Sequence, residues 1–194
     1  MNQFSQLPTL LSVDRICNLI SYSNRCQDIP GDFLEFGVYR GGSLEILAKH
    51  NPDKTIFGID SFKGLPAASQ YDSYHTEGDF SDTDHILLNG YFKLVYKNVR
   101  LVKGFSPDVF NFFDNPHHRF AFVHIDVDLY QSVLDGINFF WPRMSPGGIM
   151  LFDDYGFGST LGAKKAIQES VVYKIGHELK YADGLSNKQF IVVK

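Results

Sequence analysis

Cysteine is nearly absent: the 194 residues hold only Cys17 and Cys26. That count excludes a disulfide framework and a zinc site built on thiolates. Both fall on one predicted helix, where nine residues of separation put them about 13 Å apart, beyond disulfide reach. Basic runs are missing too. The formal charge is −4, and nothing in the pattern points to a nucleic-acid partner. No apolar stretch approaches about 18 residues, so no membrane span is expected. The opening MNQFSQLPTLLSVDR lacks the basic start and apolar core of a signal peptide. The expectation is a soluble cytoplasmic protein.

What is abundant is aromatic. Eighteen Phe and ten Tyr, within 44% hydrophobic and 21% charged residues, suit a globular core rather than disorder. The length suits a single domain, residues 1–194. Short apolar runs alternate with helical patterns, which predicts an α/β fold around a mostly parallel sheet. Strands are expected at about 33–37, 55–60, 99–103, 120–126 and 148–153. Helices are expected at about 9–26, 42–50, 81–96, 107–113, 132–141 and 161–173. In the first helix Leu10, Val13, Ile16, Cys17 and Ile20 form the predicted apolar stripe. Residues 173–182 and 189–194 read as a closing antiparallel hairpin around Asp183–Asn187. The polar stretch 64–79, GLPAASQYDSYHTEGD, is a candidate lid.

Ligands of open α/β sheets bind beyond the carboxyl ends of the strands, so those ends carry the functional reading. The first predicted strand ends in Glu35-Phe-Gly-Val-Tyr-Arg-Gly-Gly-Ser43, a glycine turn opening a helix. Glycine lets a backbone approach a ligand, and a helix start offers free N–H groups. The spacing is neither GxGxxG nor a phosphate loop. The second strand ends in Asp60, an acid that suits a ribose diol; with the glycine turn it indicates a nucleoside-bearing cofactor. Asp126, Asp153 and Asp154 close two further strands. Carboxylates brought together this way repel unless a cation is present, and an all-oxygen set suits Mg²⁺, Mn²⁺ or Ca²⁺. The competing assignment is that these aspartates merely cap turns and helices.

The runs 35–43, Asp60-Ser-Phe-Lys-Gly-Leu-Pro66, Asp126-Val-Asp-Leu-Tyr-Gln-Ser132 and Pro146-Gly-Gly-Ile-Met-Leu-Phe-Asp-Asp-Tyr155 resemble the macrocin O-methyltransferase family. The resemblance covers about residues 33–170. It implies a Rossmann-like class I methyltransferase fold, with seven strands, the last one antiparallel. It further implies Mg²⁺-dependent methyl transfer from S-adenosylmethionine to a hydroxyl of a sugar or glycosylated small molecule. On that resemblance Glu35, Gly37, Arg40, Gly41 and Ser43 hold the methionine part of the cofactor. Asp60 takes the ribose, Ser61 and Phe62 flank the adenosine, and Gly104, Phe105 and Ser106 form the turn near adenine. Asp126, Asp153 and Asp154 match the metal positions. Asp126 is the first choice of base, with Asp128 the alternative. Leu129 stands where catechol-type relatives carry lysine, which disfavours a catechol acceptor.

His124, inside an apolar strand, reads as a hydrogen-bonded core residue, whereas His75 and His85 border the lid. The family is usually longer at its N-terminus, so the acceptor side is expected to be open and a homo-oligomer could complete it. Two rival functions stand. A nicotinamide-dependent sugar dehydrogenase or epimerase shares the fold, but no Tyr here has Lys four residues on. A non-catalytic cofactor-binding scaffold is the other.

Overall fold

The computed structural model describes residues 4–181 and 184–194. They build one seven-stranded sheet in the order β3-β2-β1-β4-β5-β7-β6. The strands are β1 (Asp32–Phe36), β2 (Ile56–Asp60), β3 (Val99–Lys103), β4 (Phe120–Ile125), β5 (Met144–Phe152), β6 (His177–Lys180) and β7 (Ser186–Val193). β1 to β5 pair in parallel, and β7 runs antiparallel to both β5 and β6. This is the expected class I arrangement. The helices are α1 (Val13–Asn24), α2 (Gly42–His50), α3 (His85–Val95), α4 (Tyr130–Phe140) and α5 (Leu161–Glu169).

Alternate strand residues feed two cores. Leu34 and Phe36 join Val133, Ile137, Phe140 and Ala166 on one face; Phe33 joins Ile16, Leu19, Leu44, Leu47 and Phe92 on the other. Burial on both faces is why β4, Phe-Ala-Phe-Val-His-Ile, has no exposed position and no polar alternation. His124 is fully buried there and bonds to Glu35 across the sheet, Nδ1 to Oε1 at 3.0 Å, as a core histidine should. Among the described residues no helix is long and apolar enough to cross a membrane.

Several boundaries differ from the sequence expectation, each for a physical reason. α3 starts at His85 rather than 81, because the Asp84 carboxylate accepts from the N–H groups of Ile86 and Leu87 and caps the helix there. α4 starts at Tyr130 rather than 132. Its first N–H is taken at 2.9 Å by Asp72, which lies in the 64–79 loop and is invisible to local pattern reading. The predicted helix at 107–113 is a 3₁₀ helix throughout, Asp108–Phe113, and the one at 161–173 gives way after Glu169 to a 3₁₀ turn, Val171–Lys174. β5 extends back to Met144, which pairs with Phe120 across an irregular register. The closing hairpin is present with a shorter first strand and a second strand that starts earlier, at Ser186 within the predicted turn; Ala182 at the end of the predicted strand and Asp183 of the predicted turn lie outside the described residues.

The α1 stripe also needs correcting. Ile16 and Leu19 are buried, whereas Leu10 and Val13 are 68% and 60% exposed and Cys17 faces solvent. Cys26 lies beyond the end of α1, and both thiols are free. The segment ahead of α1 is fastened by Glu45 of α2, whose Oε2 accepts from the N–H groups of Gln6 and Leu7 at 2.9 and 2.8 Å. Its Oε1 accepts from the hydroxyls of Tyr91 and Tyr96. Gly42 permits the crossing: a Cβ there would overlap the carbonyl of Pro8. The segment ahead of α1 therefore crosses the start of α2.

Candidate functional site

Strand register assembles the site. Phe36 pairs with Ile59 of β2 and Ile125 of β4, and Ile125 pairs with Phe152 of β5. One residue further along each strand, Gly37, Asp60, Asp126 and Asp153 consequently form a single row across the carboxyl edge. The backbone N–H groups of Gly37, Asp126 and Asp153 continue the ladder onto Ile59, Phe36 and Ile125 at 2.9, 2.8 and 3.0 Å. β1 and β4 are also where the strand order reverses, the usual place for a ligand crevice. Gly37 is required in this row. Its φ is +99°, and a Cβ would overlap the Asp126 carbonyl oxygen.

A cleft of about 280 Å³ opens above the row, near the lower end of small-molecule pockets at roughly 300 Å³. Gly37, Arg40, Ser43, Asp60, Ser61, Gly104, Phe105 and Ser106 line one side of it. Asp126, Asp128, Asp153 and Asp154 line the other. α2 points its start at this space, with Gly42 and Ser43 in the wall and no side chain capping its first turn.

Asp60 is already busy. Oδ2 accepts from the N–H groups of Val38 and Tyr39, both at 2.8 Å, and Oδ1 from Phe62 at 2.7 Å. A carboxylate has about four acceptor positions, so roughly one is left, on Oδ1. It holds the glycine turn in shape, with about one acceptor position to spare.

Oxygens of Asp126, Asp153 and Asp154 approach within 4.8 Å of one another. Burial, followed by the charges of Asp153, Asp154 and Asp128, pushes the Asp126 carboxyl well above the ordinary carboxylate range. Asp154 is raised in the same way, by burial and then by Asp128 and Asp153. Asp128 sits at φ +59°. Burial moves it up to about 6, against an opposing pull from His75. These carboxylates are unevenly served by donors. Asp154 accepts from the Asp128 N–H at 2.9 Å, and Asp153 accepts from Gln189 at 2.9 Å and from Arg15. The donor set is all oxygen, crowded and under-neutralised, which fits a hard divalent cation.

The 64–79 loop covers one flank. Its ends are tied together by Leu65 N–H to the Asp79 carbonyl and Gly78 N–H to the Leu65 carbonyl. Asp72 joins it to α4, and Tyr71 packs on Tyr130. Leu65, Pro66 and His75 reach the cleft, with His75 lying 3.5 Å from Asp128 and 3.5 Å from Asp79.

A sequence model described as macrocin-O-methyltransferase (TylF) matches residues 9–183. The chain belongs to the macrocin O-methyltransferase family. Its curated relatives include mycinamicin III 3''-O-methyltransferase of Micromonospora griseorubida, 30% identical over 76% of this chain and 65% of the relative. Another is the 8-demethyl-8-(2,3-dimethoxy-alpha-L-rhamnosyl)-tetracenomycin-C 4'-O-methyltransferase of Streptomyces olivaceus, 31% identical over 66% of this chain and 54% of the relative. The chain thus spans about half to two thirds of the length of these relatives. Among solved structures, the calicheamicin methyltransferase CalS11 superposes with a TM-score of 0.76 at 21% identity, covering 93% of this chain and 78% of that one. The O-methyltransferase NovP gives 0.70 at 23%, covering 96% and 81%. At such identities the shared property is the fold.

Not every residue singled out by resemblance to the macrocin O-methyltransferase family lines the cleft. Glu35 is fully buried beneath it, bonded to His124, and burial raises its carboxyl. Gly41, at φ +84°, shapes the α2 start and packs near Leu88 and Phe92 instead of facing the ligand space. Phe62 packs against the His85 ring at 4.7 Å. Arg40 does line the cleft, but its guanidinium is turned to Asp82. Conversely, sequence reading missed Arg15, Gln189 and the cleft-lining segment Pro8–Leu11. Nothing local marks them, since their partners are 138 and 36 residues away in the case of the two side chains.

Proposed function

We propose that this chain is a single-domain, cytoplasmic S-adenosylmethionine-dependent O-methyltransferase, acting with Mg²⁺ on a hydroxyl of a sugar or glycosylated small molecule. The observation that carries this reading is the meeting, in one cleft, of an uncapped helix start, an aspartate with about one acceptor position open and a three-carboxylate cluster. Family membership and the printed activities of the relatives support the sugar hydroxyl as acceptor.

The geometry supports the following roles. Free N–H groups at the α2 start suit the cofactor carboxylate, an anion at the positive end of a helix. The open acceptor position on Asp60 Oδ1 suits one ribose hydroxyl, and Gly104–Ser106 border the base side. A cation held by Asp126, Asp153 and Asp154 supplies Lewis acidity toward the acceptor oxygens. With those three carboxylates committed, Asp128 is the residue left to take the hydroxyl proton. It lies in the cleft wall, outside the cluster, with the His75 ring 3.5 Å away. The sulfonium methyl is already electrophilic, so alignment should outweigh proton removal: about 7–11 kcal/mol against roughly 3–5.

The test is transfer of labelled methyl from S-adenosylmethionine to a panel of glycosylated acceptors bearing vicinal hydroxyls. Label should reach oxygen with Mg²⁺, vanish with EDTA and return when Mg²⁺ is restored. Transfer that persists in EDTA removes the cation from the account. Reduction of a nicotinamide cofactor by a sugar nucleotide, with no methyl transfer, replaces it by the dehydrogenase.

A further inference from the structure

The carboxylate cluster already contains one cation of the chain's own. Arg15 of α1 pairs with Asp153 Oδ2. The rest of its guanidinium is engaged by the Leu10 carbonyl at 2.9 Å and by Ser12 Oγ at 3.2 Å, and it lies 4.9 Å from the centre of the Phe157 ring. Its side chain is 12% exposed. The other oxygen of Asp153 is held by Gln189. Asp153 therefore has a donor on each oxygen, while among the described residues no side-chain donor reaches Asp126.

We infer that Arg15 is the resident counter-ion of the cluster, and that a divalent cation binds in competition with it. This rests on the divalent-cation reading proposed above. Two positive groups drawn to one carboxylate repel each other, and in a buried site that repulsion is poorly screened. Arg15 neutralises the cluster when the cation is absent, and it opposes the cation when one arrives. Because the same guanidinium grips Leu10 and Ser12, weakening its hold on Asp153 also loosens the segment that lines the cleft. Cation binding is thereby coupled to this wall of the cleft.

The experiment is calorimetric titration of Mg²⁺ and Mn²⁺ into wild-type protein, Arg15→Met and Arg15→Lys, with thermal melts of each in EDTA and in saturating Mg²⁺. Competition predicts that Arg15→Met binds the cation more tightly, on the order of tenfold, whereas Arg15→Lys stays near wild type. In EDTA Arg15→Met should melt earliest, and saturating Mg²⁺ should narrow the gap. Equal or weaker cation affinity in a folded Arg15→Met protein overturns the competition alone, since Arg15 would then only steady Asp153. Arg15→Gln gives the same comparison where the Met variant fails to fold. No binding by any of the proteins overturns the competition together with the cation reading itself.

Discussion

Replacing Gly37 with alanine should cost at least about 3 kcal/mol of folding stability, combining left-handed backbone strain with a steric overlap that cannot relax cheaply. The group it meets is the carbonyl of Asp126, a backbone atom in the middle of the sheet. In a protein of this size 3 kcal/mol corresponds to a fall of roughly 6–12 °C in Tm. Gly78 supplies the control. It also has positive φ, +88° against +99°, but a Cβ there meets nothing within 4 Å. Gly78→Ala should lose only the strain, about 1 kcal/mol. Thermal melts of both variants separate the two contributions. Equal losses would show that β1 and β4 are not packed as closely as the site requires.

Asp126→Asn is expected to reduce methyl transfer by roughly 10²–10⁴-fold, because a ligand of the cation is lost and the acceptor oxygens are no longer positioned. Affinity for S-adenosylmethionine should stay within about threefold, since the groups assigned to the cofactor lie on β1, β2 and the α2 start. The same change should raise Tm in EDTA by a few degrees. The direction follows from linkage. The folded carboxyl titrates above its unfolded value, so its contribution is favourable below the unfolded pKa of about 3.9 and is lost as pH rises. At neutral pH the folded state must either bear this buried charge or take up a proton, and asparagine removes that cost. The stability gap between variant and wild type should close as pH falls toward about 4. Full activity in Asp126→Asn, or lost cofactor binding, would place this residue on the wrong side of the cleft.

The sequence was most legible where chemistry is tied to strand ends. Apolar runs locate β1, β2, β4 and β5, and the residue after each run reaches the same edge once the strands pair in parallel. Asp60, Asp126, Asp153 and Gly37 were therefore recoverable without coordinates. Residues whose role comes from distant partners were not. Arg15 looks like one charge on an amphipathic helix until α1 is laid beside β5, and Asp72 looks like an ordinary loop acid until it caps α4. Glu35 misled for the opposite reason. It sits next to the glycine turn in sequence, but strand alternation turns its side chain toward His124. The apolar stripe in α1 failed because Leu10 and Val13 belong to the cleft-lining segment and the helix start, where solvent is close.

The central claim is that the row of strand-end residues forms an S-adenosylmethionine site next to a cation site. Calorimetric titration of the protein with S-adenosylmethionine, with and without Mg²⁺, tests it most directly. The account predicts one site per chain with a Kd of about micromolar order, a binding free energy near −8 kcal/mol, and little dependence on Mg²⁺. No heat in either condition, across several temperatures, would contradict it.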